Sequence, residues 1–350
     1  MRQVFKRPVV RQLTQNDDVV LEFFLNELST NDPTVMGYHY PFYRNVLHAC
    51  QIGEPFYLGL FLDSMLSAVL PGFIKTTNLG TAYCSMPFFG PNAGVLCKNE
   101  IKELAHGELL KFLAAELTRK YSLLSASFYT PFLFKDYNLY EENLPGSIFV
   151  QKTTQFFTIS NKVWTTKIKY DLRRSERLGI VVTEEITDSN VQELYTIYLQ
   201  NCLDQNIPQK PLNCILALSN AAKNHQGVEF YFAFQGENMI GGLIVLYSKK
   251  TLSYYLPCSL ETARSLQPVT CLIDFAFQKA RSKKIDYWNW ESSPSKESGV
   301  YKFKNKWGSI ETDYRIYVKP FVDIEYLSTI GKTKLAESFP HFFVFPFESL

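Results

Sequence analysis

The 350-residue sequence lacks the features by which several large classes of protein announce themselves. It has no excess charge: 36 basic side chains face 34 acidic ones, a formal net of +2, which argues against a dedicated DNA binder and leaves any basic surface local. It has no long apolar run: nothing approaches the roughly 18 residues of a membrane span. The N-terminal MRQVFKRPVVRQLTQNDD has basic residues but no apolar core of a secretory signal. A soluble, cytoplasmic protein is the expectation. Its seven cysteines, Cys50, Cys84, Cys97, Cys202, Cys214, Cys258 and Cys271, form no C-x-x-C pair, so reduced structural thiols are expected rather than disulfides or zinc ligands. His39, His48, His106, His225 and His341 are isolated; H-E-x-x-H, G-x-S-x-G, G-x-G-x-x-G and P-loop patterns are all missing. Metalloenzyme and triad-hydrolase readings lose support, and no metal is expected.

What the chain has in quantity is aromatic and aliphatic side chains, 46% hydrophobic residues with 28 Phe and 21 Tyr, ample for more than one core. Length alone suggests two domains, and the sequence repeats itself. Phe56 to Leu70, FYLGLFLDSMLSAVL, aligns without gaps on Phe230 to Ile244, FYFAFQGENMIGGLI, displaced by 174 residues (230 minus 56). Each copy reads as a β-hairpin. Each is preceded by an amphipathic helix opened by an aspartate cap, Asp17 to Leu28 and Asp188 to Leu199, and followed by a strand and a second helix, Glu100 to Lys120 and Pro268 to Ser282. The order helix, hairpin, strand, helix, strand predicts an α/β (α+β) fold with a mixed sheet covered by helices. The expected domains are residues 1–152 and 153–320, joined within Pro145 to Asn161. A tail at 321–350, with a helix over Ile324 to Ser338, should pack back on the body.

Four stretches could carry chemistry. Ser85 to Leu96, SMPFFGPNAGVL, offers Gly90, Asn92 and Gly94 as an exposed backbone after a strand, or an ordinary turn. Asn161 to Arg177 carries Lys162, Lys167, Lys169, Arg173, Arg174 and Arg177 around an apolar face of Trp164, Ile168 and Leu172; it suits phosphates or is a solvated face. Leu252 to Thr270 links a strand to a helix start, where Arg264 and the N-terminus near Pro268 could meet a pyrophosphate. Asp286 to Gly308, DYWNWESSPSKESGVYKFKNKWG, joins an aromatic strand to a short helix. There Val300, Phe303 and Trp307 form an apolar stripe and Lys302, Lys304 and Lys306 occupy the remaining surface. Trp288, Trp290, Phe303 and Trp307 read as core, and Glu291 as a strand-end carboxylate.

The order WTTKIKYDLRRSERLGIVV, FAFQGENMIGGLIVL, LSYYLPC and WNWESSPSKESGVYKFKNKWG resembles the FemAB-like acyltransferases, relatives of the GNAT N-acetyltransferase superfamily. The resemblance is strongest from Trp164 to Pro320. It implies two tandem GNAT-like (acyl-CoA N-acyltransferase) domains, each with a mixed, mostly antiparallel sheet flanked by helices. It also implies transfer of an acyl or aminoacyl group, from acyl-CoA or aminoacyl-tRNA as donor substrate, to an amine of a cell-envelope precursor, a UDP-linked muropeptide or an amino sugar. No tightly bound cofactor is implied. The glycine-rich loop with which GNAT enzymes hold the CoA pyrophosphate is missing, SLETARSLQPVT standing in its place. On this resemblance Glu291 takes the proton or orients the amine, Tyr255 and Tyr301 donate hydrogen bonds, and Arg264, Lys302, Lys304, Lys306 and Arg173 hold donor or acceptor phosphates. The alternatives are a catalytically silent binding module of the same fold, or a CoA-dependent acetyltransferase acting on a small amine.

Overall fold

The computed structural model describes residues 8–88 and 93–347, so Gly90 and Asn92 of the Gly-rich loop lie outside the described residues. The chain divides into two compact units. One comprises the described residues up to Thr154 together with those from Thr312 onward; the other runs from Gln155 to Glu311. The strand Ile148–Thr158 carries the chain out of the first unit, and Ile310–Pro320 carries it back.

The second unit is the simpler. Its strands Ile180–Thr183, Val228–Gln235, Asn238–Tyr247 and Thr251–Ser259 form an antiparallel run, and Tyr287–Ser292 adds in parallel to the last. A parallel neighbour needs a crossover, which Pro268–Ser282 supplies. The helix starts where Pro268, lacking an N–H, costs nothing at the first helical position. Helix Asp188–Gln205 is capped by Thr187, whose hydroxyl accepts from the Asn190 N–H, so Asp188 is the first helical residue rather than the cap. This helix lies directly on the sheet: a Cβ at Gly242 would stand 2.5 Å from a Leu194 methyl, which explains the diglycine Gly241-Gly242. The core is aromatic, with Trp288, Trp290 and Trp307 all buried; Phe157 stacks on Trp288 at 5.6 Å and Trp164 meets Phe277 at 4.2 Å. Rings of this size bury roughly 150–250 Å² each, about 4–6 kcal/mol apiece before entropy is counted.

The first unit has the same order with interruptions. Strand Val9–Leu13 pairs with Tyr57–Leu62, which pairs with Met65–Leu70. Glu54 and Pro55 continue the same register onto Phe73–Thr77 across a break at Pro71-Gly72. The returning strand is split into Gly80–Cys84 and Leu96–Cys97. Helix Lys102–Lys120 then crosses to the parallel strand Leu123–Tyr129. Residues Ile316 to Pro320 pair antiparallel with that strand, and the tail helices Ile324–Ile330 and Lys332–Ser338, broken at Gly331 (φ +84°), bury Leu327, Leu335 and Phe339 in this unit. The Ser125 hydroxyl donates to the Val344 carbonyl at 2.7 Å.

The internal repeat is therefore real in topology, but its register differs by one residue from the sequence match. Leu62 opposes Met65 across one turn and Gln235 opposes Asn238 across the other, a displacement of 173 (235 minus 62). Both hairpins carry a bulge two residues before the turn, at Leu60/Phe61 and Ala233/Phe234. The slip is physical in origin: strands buried on both faces have no polar-apolar alternation to fix register.

Cys84, Cys97, Cys202, Cys258 and Cys271 are free thiols, as expected of reduced, structural cysteines. Among the described residues no helix is long and apolar enough to cross a membrane, and no group of three His, Cys, Asp or Glu side chains could hold a metal.

Candidate functional site

In the second unit the two parallel strands pair only from Thr251 to Ser253 against Tyr287 to Asn289. Both then continue unpaired to each other, to Ser259 and Ser292, and leave a notch between their ends. On its other edge the strand Thr251–Ser259 shifts register, with Leu256 opposite Ile244 and Tyr254 opposite Val245, so that Tyr255 is the extra residue of a β-bulge. A bulge leaves its extra residue out of the ladder and re-aims its side chain. Tyr255 lines a groove of about 640 Å³, together with the start of helix Pro268–Ser282, the end of helix Asp188–Gln205, the following loop, and helix Gly299–Asn305. The Asn201 amide clamps the mouth, donating to the Ser259 carbonyl at 2.8 Å and accepting from the Ser259 N–H at 2.9 Å.

The residue that closes the notch is Lys304. It is 3% exposed, and its ammonium donates to the carbonyls of Glu291 (3.1 Å) and Ser292 (2.7 Å), at the end of the second strand. Helical geometry explains the inward aim: Lys304 is at i+4 from Val300, so it shares a face with Val300, Phe303 and Trp307 instead of lying opposite them, as expected from their i, i+3, i+7 spacing alone. Ser298 caps this short helix, accepting from the Tyr301 N–H. Glu291 has φ +62°, a left-handed conformation that a residue with a side chain adopts at a cost. Buried Asn289 holds it there; its Oδ1 accepts from the Glu291 N–H at 3.0 Å and its Nδ2 donates to Glu291 Oε1 at 3.1 Å.

Burial pushes the Lys304 ammonium down to about 8, the negative charge of Glu291 opposing the shift. Lys210, in the loop after helix Asp188–Gln205, is pushed down to about 8 for the same reason, with Cys202 and Glu291 pulling the other way. Its Nζ lies 5.2 Å from the centre of the Tyr255 ring. Two lysines that titrate near neutrality and one oriented carboxylate can accept and release protons at the groove. Of the three N–H donors of Lys304, two serve the strand-end carbonyls and one remains for a ligand.

The structure brings Tyr255, Arg264, Lys304 and Lys306 to this groove, and Glu291 to its strand end. Arg264 pairs with Glu261 at 3.2 Å on the surface; Lys306 packs over Phe303 at 4.5 Å, its ammonium pushed down by burial. Tyr301 and Lys302 lie outside it: the Tyr301 hydroxyl donates to Glu311 at 2.6 Å, beside the Lys296–Glu311 ion pair, and Lys302 is exposed. Arg173 lines a different cleft with Asp274 and Gln278. Two residues were not singled out from sequence. Asn289 is the lone amide in an otherwise aromatic strand, a signal open to reading; Lys210 sits between Pro208 and Pro211 in a loop with no periodic pattern.

No family model and no curated protein matches the chain. Solved structures do match over nearly its whole length. FemX aligns with a TM-score of 0.68 at 10% identity, over 92% of this chain and 99% of FemX. The lysylphosphatidylglycerol synthetase (L-PGS) of Bacillus licheniformis aligns at 0.56 and 13%, over 92% and 95%. A tandem GNAT protein from the clavulanic acid biosynthesis pathway aligns at 0.52 and 7%, over 91% and 99%. At such identities the likeness is one of fold: the chain has the FemAB-like, GNAT-related tandem architecture.

Proposed function

We propose that this chain is an N-acyltransferase that moves an acyl or aminoacyl group from a tRNA- or CoA-linked donor to an amine, at the groove of its second unit. The observation that carries the reading is the clamp of Lys304 on the Glu291 and Ser292 carbonyls beside two splayed parallel strands. Likeness to FemX and L-PGS in fold supports it, and the resemblance of the sequence to the FemAB-like acyltransferases implies a cell-envelope precursor as acceptor, a muropeptide or an amino sugar.

In this reading the neutral amine attacks the donor carbonyl and a C–N bond forms. The oxyanion meets the remaining N–H of Lys304, the role in which a preorganised donor is most effective. The Glu291 carboxylate takes the proton of the attacking amine, and Lys210 returns one to the departing oxygen or sulfur as the C–O or C–S bond breaks. Arg264 and Lys306 hold donor phosphates. Between Ser259 and Pro268 the chain forms a 3-10 turn, Glu261–Leu266, with no glycine, and the helix opens on a residue without an N–H. A backbone cradle for pyrophosphate is thus missing at this point, which favours the tRNA-linked donor.

The test is incubation with radiolabelled aminoacyl-tRNA and acyl-CoA, separately, against UDP-muropeptides and amino sugars. Transfer from at least one donor is expected; no transfer and no binding of either would overturn the reading.

A further inference from the structure

The first unit builds a second cleft at the topological place that the groove occupies in the second unit. Its cleft of about 630 Å³ lies between the end of helix Asp18–Leu28, the end of strand Leu96–Cys97, the start of helix Lys102–Lys120 and the segment after strand Leu123–Tyr129. These are the counterparts of the elements around Tyr255. The chemistry has changed. Where the second unit's groove has Lys304, this cleft has instead, on its crossover helix, His106, 1% exposed.

His106 Nδ1 lies 2.8 Å from the Lys102 carbonyl, which can only accept, so Nδ1 carries the proton and Nε2 presents a bare lone pair. Nε2 is buried and has no hydrogen-bond partner among the described residues. An unmatched buried acceptor of this kind is costly to the fold, a cost that a ligand donor would recover. Burial also holds the ring neutral, pushing its pKa down against the pull of the Lys102 carbonyl. On the facing segment Leu133 is held at φ +65°, a strained conformation of the sort found at ligand clamps. Lys98 and Lys102 are already paired, with Glu27 at 2.5 Å and Asp136 at 3.0 Å, and Lys135 donates to the Thr312 hydroxyl. The lining thus has four carboxylates, Glu27, Asp32, Glu100 and Asp136, against three lysines. That balance opposes an anion and welcomes a cationic donor.

We propose that the cleft around His106 is a second ligand site, which takes the primary ammonium group of a polar ligand of amino-sugar or amino-acid size, one N–H donating to His106 Nε2. The site is defined in the absence of any acyl donor, so its test does not depend on the transfer reading.

The probes are glucosamine and glucose, the same ring with and without the ammonium, titrated into the full chain by calorimetry and followed by ¹⁵N NMR of labelled histidine. Saturable glucosamine binding at least about tenfold tighter than glucose, with the His106 Nε2 resonance moving in step, is expected. His106→Phe should weaken that binding by a similar factor. Equal or no binding of the two sugars would overturn the proposal, as would an Nε2 resonance that does not respond, the sign of a bound water only. Should His106→Phe fail to fold, the resonance of the unmodified chain decides.

Discussion

The two clefts occupy the same place in the same topology and differ in almost everything else. In the second unit the strand Thr251–Ser259 is continuous, bulged at Tyr255, and its parallel neighbour ends in a left-handed Glu291 fastened by a buried lysine. In the first unit the equivalent strand ends at Cys84 and resumes at Leu96, and the cleft carries, on helix Lys102–Lys120, a buried histidine whose Nε2 has no hydrogen-bond partner among the described residues. One cleft is built to donate hydrogen bonds and gather positive charge, the other to accept. The difference teaches that a duplicated scaffold fixes where a ligand can sit, while a few side chains at helix starts and strand ends fix which ligand it is.

Substitutions that remove the clamp should separate the two clefts most sharply. Lys304→Met takes away both the strand-end clamp and the oxyanion donor, and should lower the rate of acyl transfer about a thousandfold, measured in single-turnover assays, while glucosamine binding at His106 is unchanged. Glu291→Gln keeps the hydrogen bonds to Asn289 but removes the charge; the rate should fall about a hundredfold. The wild-type rate should decline above about pH 8 as the lysines lose their protons, and Glu291→Gln should move that decline to lower pH, because its negative charge supports both ammonium groups. A pH–rate profile checks this.

The same lysines leave a mark on stability. The folded-state value of Lys304, about 8, lies below its ordinary 10.5. Between these values the unfolded chain binds more protons, so this lysine's contribution is complete above 10.5 and is lost as pH falls through 8. Relative to Lys304→Met, the wild type should therefore gain unfolding free energy as pH rises across that window, read from denaturant titrations. The comparison cancels the buried tyrosines and Cys84, Cys97 and Cys258, whose pKa values burial pushes up and which act in the opposite sense.

Smaller effects follow outside the clamp. Arg264→Ala should raise the KM for the donor about five- to tenfold with kcat unchanged, as for loss of one charge-assisted hydrogen bond made equally in ground and transition states. Arg173→Ala, in its separate cleft, should not. Tyr301→Phe, which loses only a surface bond to Glu311, should change the rate less than about twofold.

Much of the fold was legible in the residues. The helix Pro268–Ser282 was bounded correctly because Pro268 and the i, i+3, i+4 spacing mark it, and Trp288, Trp290 and Trp307 are core as their context required. The repeat was legible too, off by one residue, since a hairpin of apolar residues on both faces carries no alternation to fix its register. The site was legible in part. Glu291 was marked by its place at a strand end and Tyr255 by the family resemblance, but the bulge at Tyr255 is a matter of pairing, which one strand's sequence does not reveal. Lys304 was found and placed on the wrong face, because three apolar residues at i, i+3 and i+7 leave the fourth position of the stripe, i+4, to be filled by geometry. Lys210 reaches the groove only through tertiary structure.

The most direct measurement is the rate at which the wild type and Lys304→Met pass a radiolabelled aminoacyl group from tRNA to an amine acceptor, with donor binding measured in parallel. The account predicts transfer by the wild type and a loss of about a thousandfold in the variant, with the folded state retained. Equal rates in the two proteins, or no transfer from tRNA or CoA donors by the wild type, would contradict it.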